Sequence, residues 1–336
     1  MAKFYYGGQA VMEGVMMRGR RSAAVAVRRP DSSISLYEEA LSPVLYQNRW
    51  FRLPFLRGML LLWEMLVLGT RMMTLSANIA SGAIDSTAST AQAHSPQTPL
   101  AQSPYNEDQQ EDTLARPPQI GGAMLVVPLL FSLGLAVAIF FVGPLLLSSL
   151  LPGHASWPGL VLEGLIRLGL LVGYLYLIGR VPDIQRIFGY HGAEHKTINA
   201  MEHGDPLDVE HVRRASRVHT RCGTGFLLLV MVVSIFVFAL VGSPPLLIKI
   251  VSRIVLVPVV AGIAYELMRL GAANYRYRVV RWLLAPGLAL QGLTTREPDD
   301  SMIECAIASL QRVLQRDGVG GSRGEESDVP PLVPSA

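Results

Sequence analysis

Residues 190–196 read YHGAEHK. His191 and His195 stand four apart, and on a helix such positions share a face, so both imidazoles can reach one cation. The order His-x-x-Glu-His is that of the inverted zincins, in which the glutamate acts as general base beside a metal held by the histidines. Zinc suits that chemistry because it lowers the pKa of water to near 7. The expected roles are therefore His191 and His195 as ligands of a divalent metal, with zinc as the candidate, and Glu194 as base. Continuing the helix puts Asn199 and Glu202 on the same face. Gly192 lies inside the motif and weakens a helix by about 1 kcal/mol relative to alanine. The alternative is a polar loop whose histidines cap helix ends or meet lipid headgroups.

A metal needs further ligands. Glu266, in AYELMR, is one candidate, because an ionisable group at membrane depth is costly and normally has a functional partner. Its competing role is an ion pair with Arg269, three residues on. His219 and Cys222, in VHTRCGTGF, are the alternative ligands, and Cys222 also reads as a small buried residue. Lys196 and Arg221 are placed to stabilise developing negative charge. His203 and His211, in EHGDPLDVEH, read as solvated. In GGQAVMEGVMMRG the glycines permit positive φ or close backbone approach. There Gln9, Glu13 and Arg18 either line a polar pocket or belong to a glycine-bent strand. The segment is neither G-x-G-x-x-G nor a P-loop, so no nucleotide is implied. In TTREP, Arg296 and Glu297 read as fixing the start of a helix, with an anion contact at Arg296 as the other possibility.

The elements that must position these residues are mostly apolar. Of 336 residues, 50% are hydrophobic and 16% charged, against roughly 25% charged in soluble domains. The deficit collects in long runs, the mark of a membrane protein. A net charge of +3 is too small to imply nucleic acid. Two cysteines, Cys222 and Cys305, make no disulfide framework and fit a reducing face. The opening MAKFYYGGQAVMEGV lacks a basic region followed by an apolar core and does not read as a secretory signal.

The expected class is a mainly α, polytopic membrane protein with about four transmembrane helices, an interfacial helix and a small N-terminal β-containing part. Residues 1–47 hold that Gly-rich part, with a hairpin where SAAVAVRR and SISLYEEAL flank PDSS. Residues 48–81 form an amphipathic or half-inserted helix, since Arg57 and Glu64 interrupt it. Residues 82–119 are too polar to order and read as a disordered acidic linker. Spans follow at 123–151, 160–178, 225–241 and 246–268. The segment 180–224 carries the HGAEH motif, and 271–316 holds C-terminal helices. One of these is capped by Asp299 or Asp300, with Met302, Ile303, Ala306, Ile307, Leu310, Val313 and Leu314 at helical spacing. The tail 317–336 reads as disordered. Lys and Arg crowd 180–221 and 269–281 and are absent from 152–158 and 242–245. That bias puts both termini and the HGAEH segment in the cytoplasm of an inner-membrane, multi-pass protein.

Taken together, GGQAVMEGVMMRG, FLRGMLLLWEMLVLG, YHGAEHKTINAMEHG, HTRCGTGF and GLALQGLTTREPDDSMIECAIASL resemble the YqhQ-like family of bacterial membrane proteins. That family is a domain of unknown function often described as predicted metal-dependent enzymes. The resemblance runs from about residue 4 to 315, without the acidic linker. It places the family's HGAEHK block on His191–Lys196 and its Arg-Cys-Gly-Thr block on Arg221–Thr224. Thr220 stands where the family pattern has proline and Gly225 where it has serine, so a catalytic hydroxyl at 225 is not expected. The expected function is metal-dependent hydrolysis at the cytoplasmic membrane face, on a peptide or lipid-like substrate. The competing class is a non-catalytic assembly factor, or a transporter of ions or small solutes, motivated by Glu163, Arg167, Lys249, Arg253 and Glu266 within the spans.

Overall fold

A computed structural model describes residues 6–41, 55–82, 122–151, 156–242 and 244–319. The expected acidic linker and most of the C-terminal tail lie outside the described residues.

Four strands come first: β1 (Gly7–Val11), β2 (Gly14–Arg18), β3 (Ser22–Arg28) and β4 (Ile34–Ala40). They form an antiparallel meander in sequence order. The hairpin expected around PDSS is β3–β4, paired from Ser22↔Ala40 to Arg28↔Ile34. The Gly-rich segment is itself a second hairpin, β1–β2, turning at Met12 and Glu13. Gly14 is required there: a Cβ would stand 2.2 Å from the Ala26 carbonyl oxygen on β3.

Strand alternation sends successive side chains to opposite faces, and here both faces are covered. Val15, Met17, Ala24 and Ala26 face one core, with Ile303, Ala306, Leu310 and Val313. Met16, Ala23, Val25 and Val27 face another, with Leu68, Met72 and Ile79. The first partner is helix α10 (Asp300–Arg316), whose N-cap is Asp299, accepting from the Met302 N–H at 2.9 Å. The second is helix α1 (Leu56–Ala80). Two serines stitch the layers. Ser309 accepts from the Met17 N–H at 3.1 Å and donates to the Ala24 carbonyl at 2.8 Å. Ser76 accepts from the Met12 N–H at 3.1 Å.

Between α1 and α10 run α2 (Gly122–Val137), a π turn (Ala138–Val142), α3 (Gly143–Ser149), α4 (Trp157–Ile178), α5 (Pro182–His203), α6 (Val209–Arg214), α7 (Gly223–Leu240), α8 (Leu246–Ala273) and α9 (Arg278–Thr294). Among the described residues, five helices are long and apolar enough to cross a membrane: Leu56–Ala80, Val127–Ser149, Pro158–Ile178, Gly223–Leu240 and Leu246–Ala273. The chain is a polytopic membrane protein carrying a small sheet. The expected count of about four spans therefore gains α1 as a further candidate. Its composition meets the criterion, yet the face from Leu68 to Ile79 is committed to the sheet. Its first turns pack on α8, where Gly58 meets Tyr265 and Phe55 meets Gly262. α1 thus bridges the helix bundle and the sheet.

The polar residues of the β1–β2 hairpin act as braces. Gln9 lies on Gly69 of α1. Arg18 pairs with Glu64 at 2.9 Å, and Glu13 pairs with Arg186 of α5 at 2.6 Å. The Arg186 hydrogen bond holds the Glu13 carboxyl below its usual range against the opposing effect of burial.

Leu310 is fully buried between sheet and α5. Leu310→Ala should lower unfolding stability by about 2–5 kcal/mol, the cost of a core cavity, read as a fall in the denaturation midpoint of the detergent-solubilised chain. A midpoint unchanged from wild type would show that this core does not hold the sheet in place.

Candidate metal centre

The HGAEH motif lies in the middle of α5, a 22-residue helix begun by Pro182 at its first position and ended by Gly204 with φ 81°. Residues 192–200 are all buried, which excludes the polar-loop alternative. Gly192 is the motif's point of closest approach. A Cβ there would stand 2.1 Å from the Arg296 carbonyl oxygen. The helix-weakening glycine is thus the residue that lets the 295–298 segment lie against α5, where the Arg296 N–H also donates to the Phe188 carbonyl at 2.8 Å.

Two segments cross α5 and orient its histidines. The His191 Nδ1 lies 2.8 Å from the Thr294 carbonyl, at the end of α9. The His195 Nδ1 lies 2.6 Å from the Arg217 carbonyl. A carbonyl oxygen only accepts, so each neutral ring carries its proton on Nδ1 and presents an unprotonated Nε2. This is the arrangement by which proteins fix a metal-binding imidazole. The rings lie 4.4 Å apart between centroids.

Cys222 supplies the third group. It is the N-cap of α7, accepting from the Thr224 N–H at 3.4 Å, and a helix N-terminus favours anionic groups. The Cys222 Sγ is 3.4 Å from the His191 Nε2. Ligand atoms of His191, His195 and Cys222 all lie within 4.8 Å of one another. Nitrogen and sulfur ligands of a tetrahedral zinc stand roughly 3.3–3.6 Å apart, so the set needs only a slight closing to share one ion. Three protein ligands leave a fourth position open, as in catalytic rather than structural zinc sites. Glu194 is buried beside it, with Oε2 3.5 Å from the His195 Nε2. Its Cγ lies against Gly8 of β1, where a Cβ would come within 2.8 Å. The N-terminal glycine segment therefore reaches the HGAEH motif.

The remaining expected residues are placed elsewhere. Glu266 is not in the cluster. It accepts from Arg57 Nε at 2.9 Å, Arg57 Nη2 at 2.5 Å and the Phe55 N–H at 3.1 Å, with Arg269 at 4.0 Å. The carboxylate ties α1 to α8, so the ion-pair role prevails and draws in Arg57 as well. His219 turns its ring to Glu202, 3.7 Å away, and lies 5.7 Å from the His195 ring. Lys196 donates to the Arg213 carbonyl at 2.7 Å and pairs with Glu297 at 2.6 Å. Arg221 pairs with Glu202. Both cations are matched by carboxylates and hold the 213–221 segment along α5. Asn199 does the same, donating to the Ser216 and Val218 carbonyls at 2.6 and 3.0 Å. His203 and His211 are exposed, as expected.

Two supporting residues escape a motif reading. Gln291 of α9 is fully buried and clasps the His219 backbone both ways, accepting at 2.9 Å and donating at 2.7 Å. Thr294 bonds Thr224 of α7 at 2.9 Å between hydroxyls. A buried amide three residues before a threonine in the otherwise apolar GLALQGLT was the available signal. α9 also passes the site-side ends of three bundle helices, with Leu284, Gly287 and Leu293 lying against Gly271, Gly225 and Gly179.

These features define a class: a multi-pass membrane protein whose sheet-bearing cap covers a His/Cys cluster at the end of its helix bundle. A family model described as "Protein of unknown function (DUF1385)" matches residues 53–316, and the chain belongs to that family. It is similar to "Uncharacterized protein YqhQ" of Bacillus subtilis (strain 168), 34% identical over 318 residues and covering 92% of each chain. No solved structure matches the chain. The expected family resemblance is thereby shown, while neither description carries a metal or an activity.

Burial raises the Glu202 carboxyl, but the neighbouring His219 ring and the Arg221 guanidinium outweigh it and hold the pKa at about 2. An unfolded glutamate titrates near about 4.3. The brace therefore adds stability that is complete above pH of about 4.3 and lost as pH falls towards 2. Glu202→Gln should be less stable than wild type at neutral pH, with the gap in unfolding midpoint closing across that acid window. A gap independent of pH would remove the charge pairing from the account.

Proposed function

We propose that the chain is a divalent-metal-dependent hydrolase acting at the cytoplasmic face of a bacterial inner membrane. One observation carries the reading: two imidazoles, each pinned through Nδ1 to a backbone carbonyl, and the Cys222 thiol bring ligand atoms within 4.8 Å of one another. His191, His195 and Cys222 hold the ion, with zinc favoured by the nitrogen and sulfur donor set. A cation there supplies Lewis acidity that makes water a competent nucleophile near neutral pH.

Glu194 would take the proton from the attacking water, since its Oε2 lies 3.5 Å from the His195 Nε2. Lys196, Asn199, Glu202 and Arg221 position the 213–221 segment and so the Cys222 N-cap. The N-terminal end of α7 offers backbone N–H groups to developing negative charge. The cluster stands where the apolar helix Gly223–Leu240 begins, and a site at the end of a candidate span suits a membrane-held peptide or a lipid-like substrate. The Lys and Arg excess of 180–221 and 269–281 supports a cytoplasmic site.

Metal analysis of the purified full-length chain tests the assignment. Wild type and Glu266→Ala should each hold about one zinc per chain, and His195→Ala and Cys222→Ala should hold far less. Glu194→Gln should keep the metal yet lose roughly 10²–10⁴-fold in turnover on a panel of fluorogenic peptides and esters. A Glu194→Gln chain with undiminished turnover, or a wild type that binds no metal, would overturn the hydrolase reading.

A further inference from the structure

The other half of the helix bundle, away from the His/Cys cluster, carries a second concentration of charge. Glu163 and Arg167 of α4 meet Arg253 of α8. The Glu163 Oε1 accepts from Arg167 Nη2 at 2.7 Å and from Arg253 Nε at 3.2 Å, and its Oε2 accepts from Arg253 Nη2 at 3.1 Å. Both carboxylate oxygens are thus engaged. Arg167 also donates to the Ser234 hydroxyl at 2.7 Å and to the Phe140 carbonyl at 3.0 Å, inside the π turn. Arg253 has donor capacity left: its Nη1 reaches only the Ser252 hydroxyl, at 3.5 Å.

Lys249 lies four residues before Arg253 and so on the same face of α8. It is 7% exposed, and among the described residues no carboxylate pairs with it. Three cations against one carboxylate leave a formal excess of +2 in this half of the bundle. The neighbouring spans offer nothing more to neutralise it, because residues 122–162 and 223–265 contain no Asp or Glu, and Glu64 of α1 is paired with Arg18. Buried charge without a partner is among the costliest arrangements in a protein, and more so within a bilayer.

We infer that this end of the bundle binds a phosphate-class anion, held by the Lys249 ammonium and the spare donors of Arg253. Lys249 is about 5 Å inside the start of α8, and Arg253 about 10 Å, at 1.5 Å per residue. The first is headgroup depth for the opposite leaflet. The same oxyanion chemistry is presented by a lipid phosphodiester of that leaflet or by free phosphate. Leu246, Leu247 and Ile248 beside it are exposed. The inference does not depend on the metal reading, since Lys249 touches none of its residues.

The full-length chain in phosphatidylcholine nanodiscs separates the sources. In one arm phosphatidylglycerol is added, with bound lipid read by native mass spectrometry. In the other, inorganic phosphate is titrated against chloride. Wild type should gain at least about 2 °C in unfolding midpoint in one arm or both, and that arm names the source. Lys249→Met should fold, keep its metal content and lose the gain, and Lys249→Arg should restore it. Equal gains in wild type and Lys249→Met, or no gain in wild type with either anion, would overturn the inference.

Discussion

The candidate site depends on one constraint: α5 cannot satisfy its own polar side chains. Its half-buried His191 and buried His195, Lys196 and Asn199 find their partners in backbone carbonyls of two other segments, 213–218 and the end of α9. Buried polar groups must be paired, so the helix and the two segments fold as a unit. Pinning each Nδ1 leaves each Nε2 to the interior of the site, where the His191 Nε2 meets the Cys222 thiol and the His195 Nε2 the Glu194 carboxylate. The cluster with Cys222 is a consequence of that pairing, because the segment held by Asn199 and Lys196 runs directly into the N-cap of α7.

The close fit is set by small residues rather than by large ones. Gly192 admits the Arg296 carbonyl, Gly8 admits the Glu194 side chain, and Gly69 admits Gln9. Each glycine lies where two elements from distant parts of the sequence touch. The N-terminal sheet is therefore a wall of the candidate site as well as a platform for α1 and α10. Loss of a single such glycine would separate the elements by an ångström or more, enough to spread ligands that must converge within tenths.

Much of this was legible in the amino-acid sequence. The uncharged runs marked the bundle, the Asp299 cap and its periodic apolar residues marked α10, and the spacing of His191 and His195 marked the one-face arrangement. Cys222 was legible only as one of several possible ligands. Nothing local distinguishes it from Glu266, whose depth in a span is as conspicuous. Arg57 decides the matter from 209 residues away, a separation that no motif encodes. Gln291 and Thr294 were missed for the same reason: their partners, the His219 backbone and the Thr224 and His191 side chains, lie on other segments. α1 stayed ambiguous because a helix shared between a bundle and a sheet is apolar on both counts.

The charge at the far end of the bundle follows an opposite logic. At the His/Cys end every cation of α5 and its partners meets a carboxylate or a carbonyl. At the far end the described residues of the spans supply cations in excess of carboxylates.

The most direct measurement of the central claim is X-ray absorption at the zinc edge of the purified, zinc-loaded chain. The account predicts one sulfur at about 2.3 Å and two imidazole nitrogens at about 2.0–2.1 Å, with a light atom completing four-coordination. A first shell of oxygen and nitrogen alone, unchanged in Cys222→Ser, would contradict it.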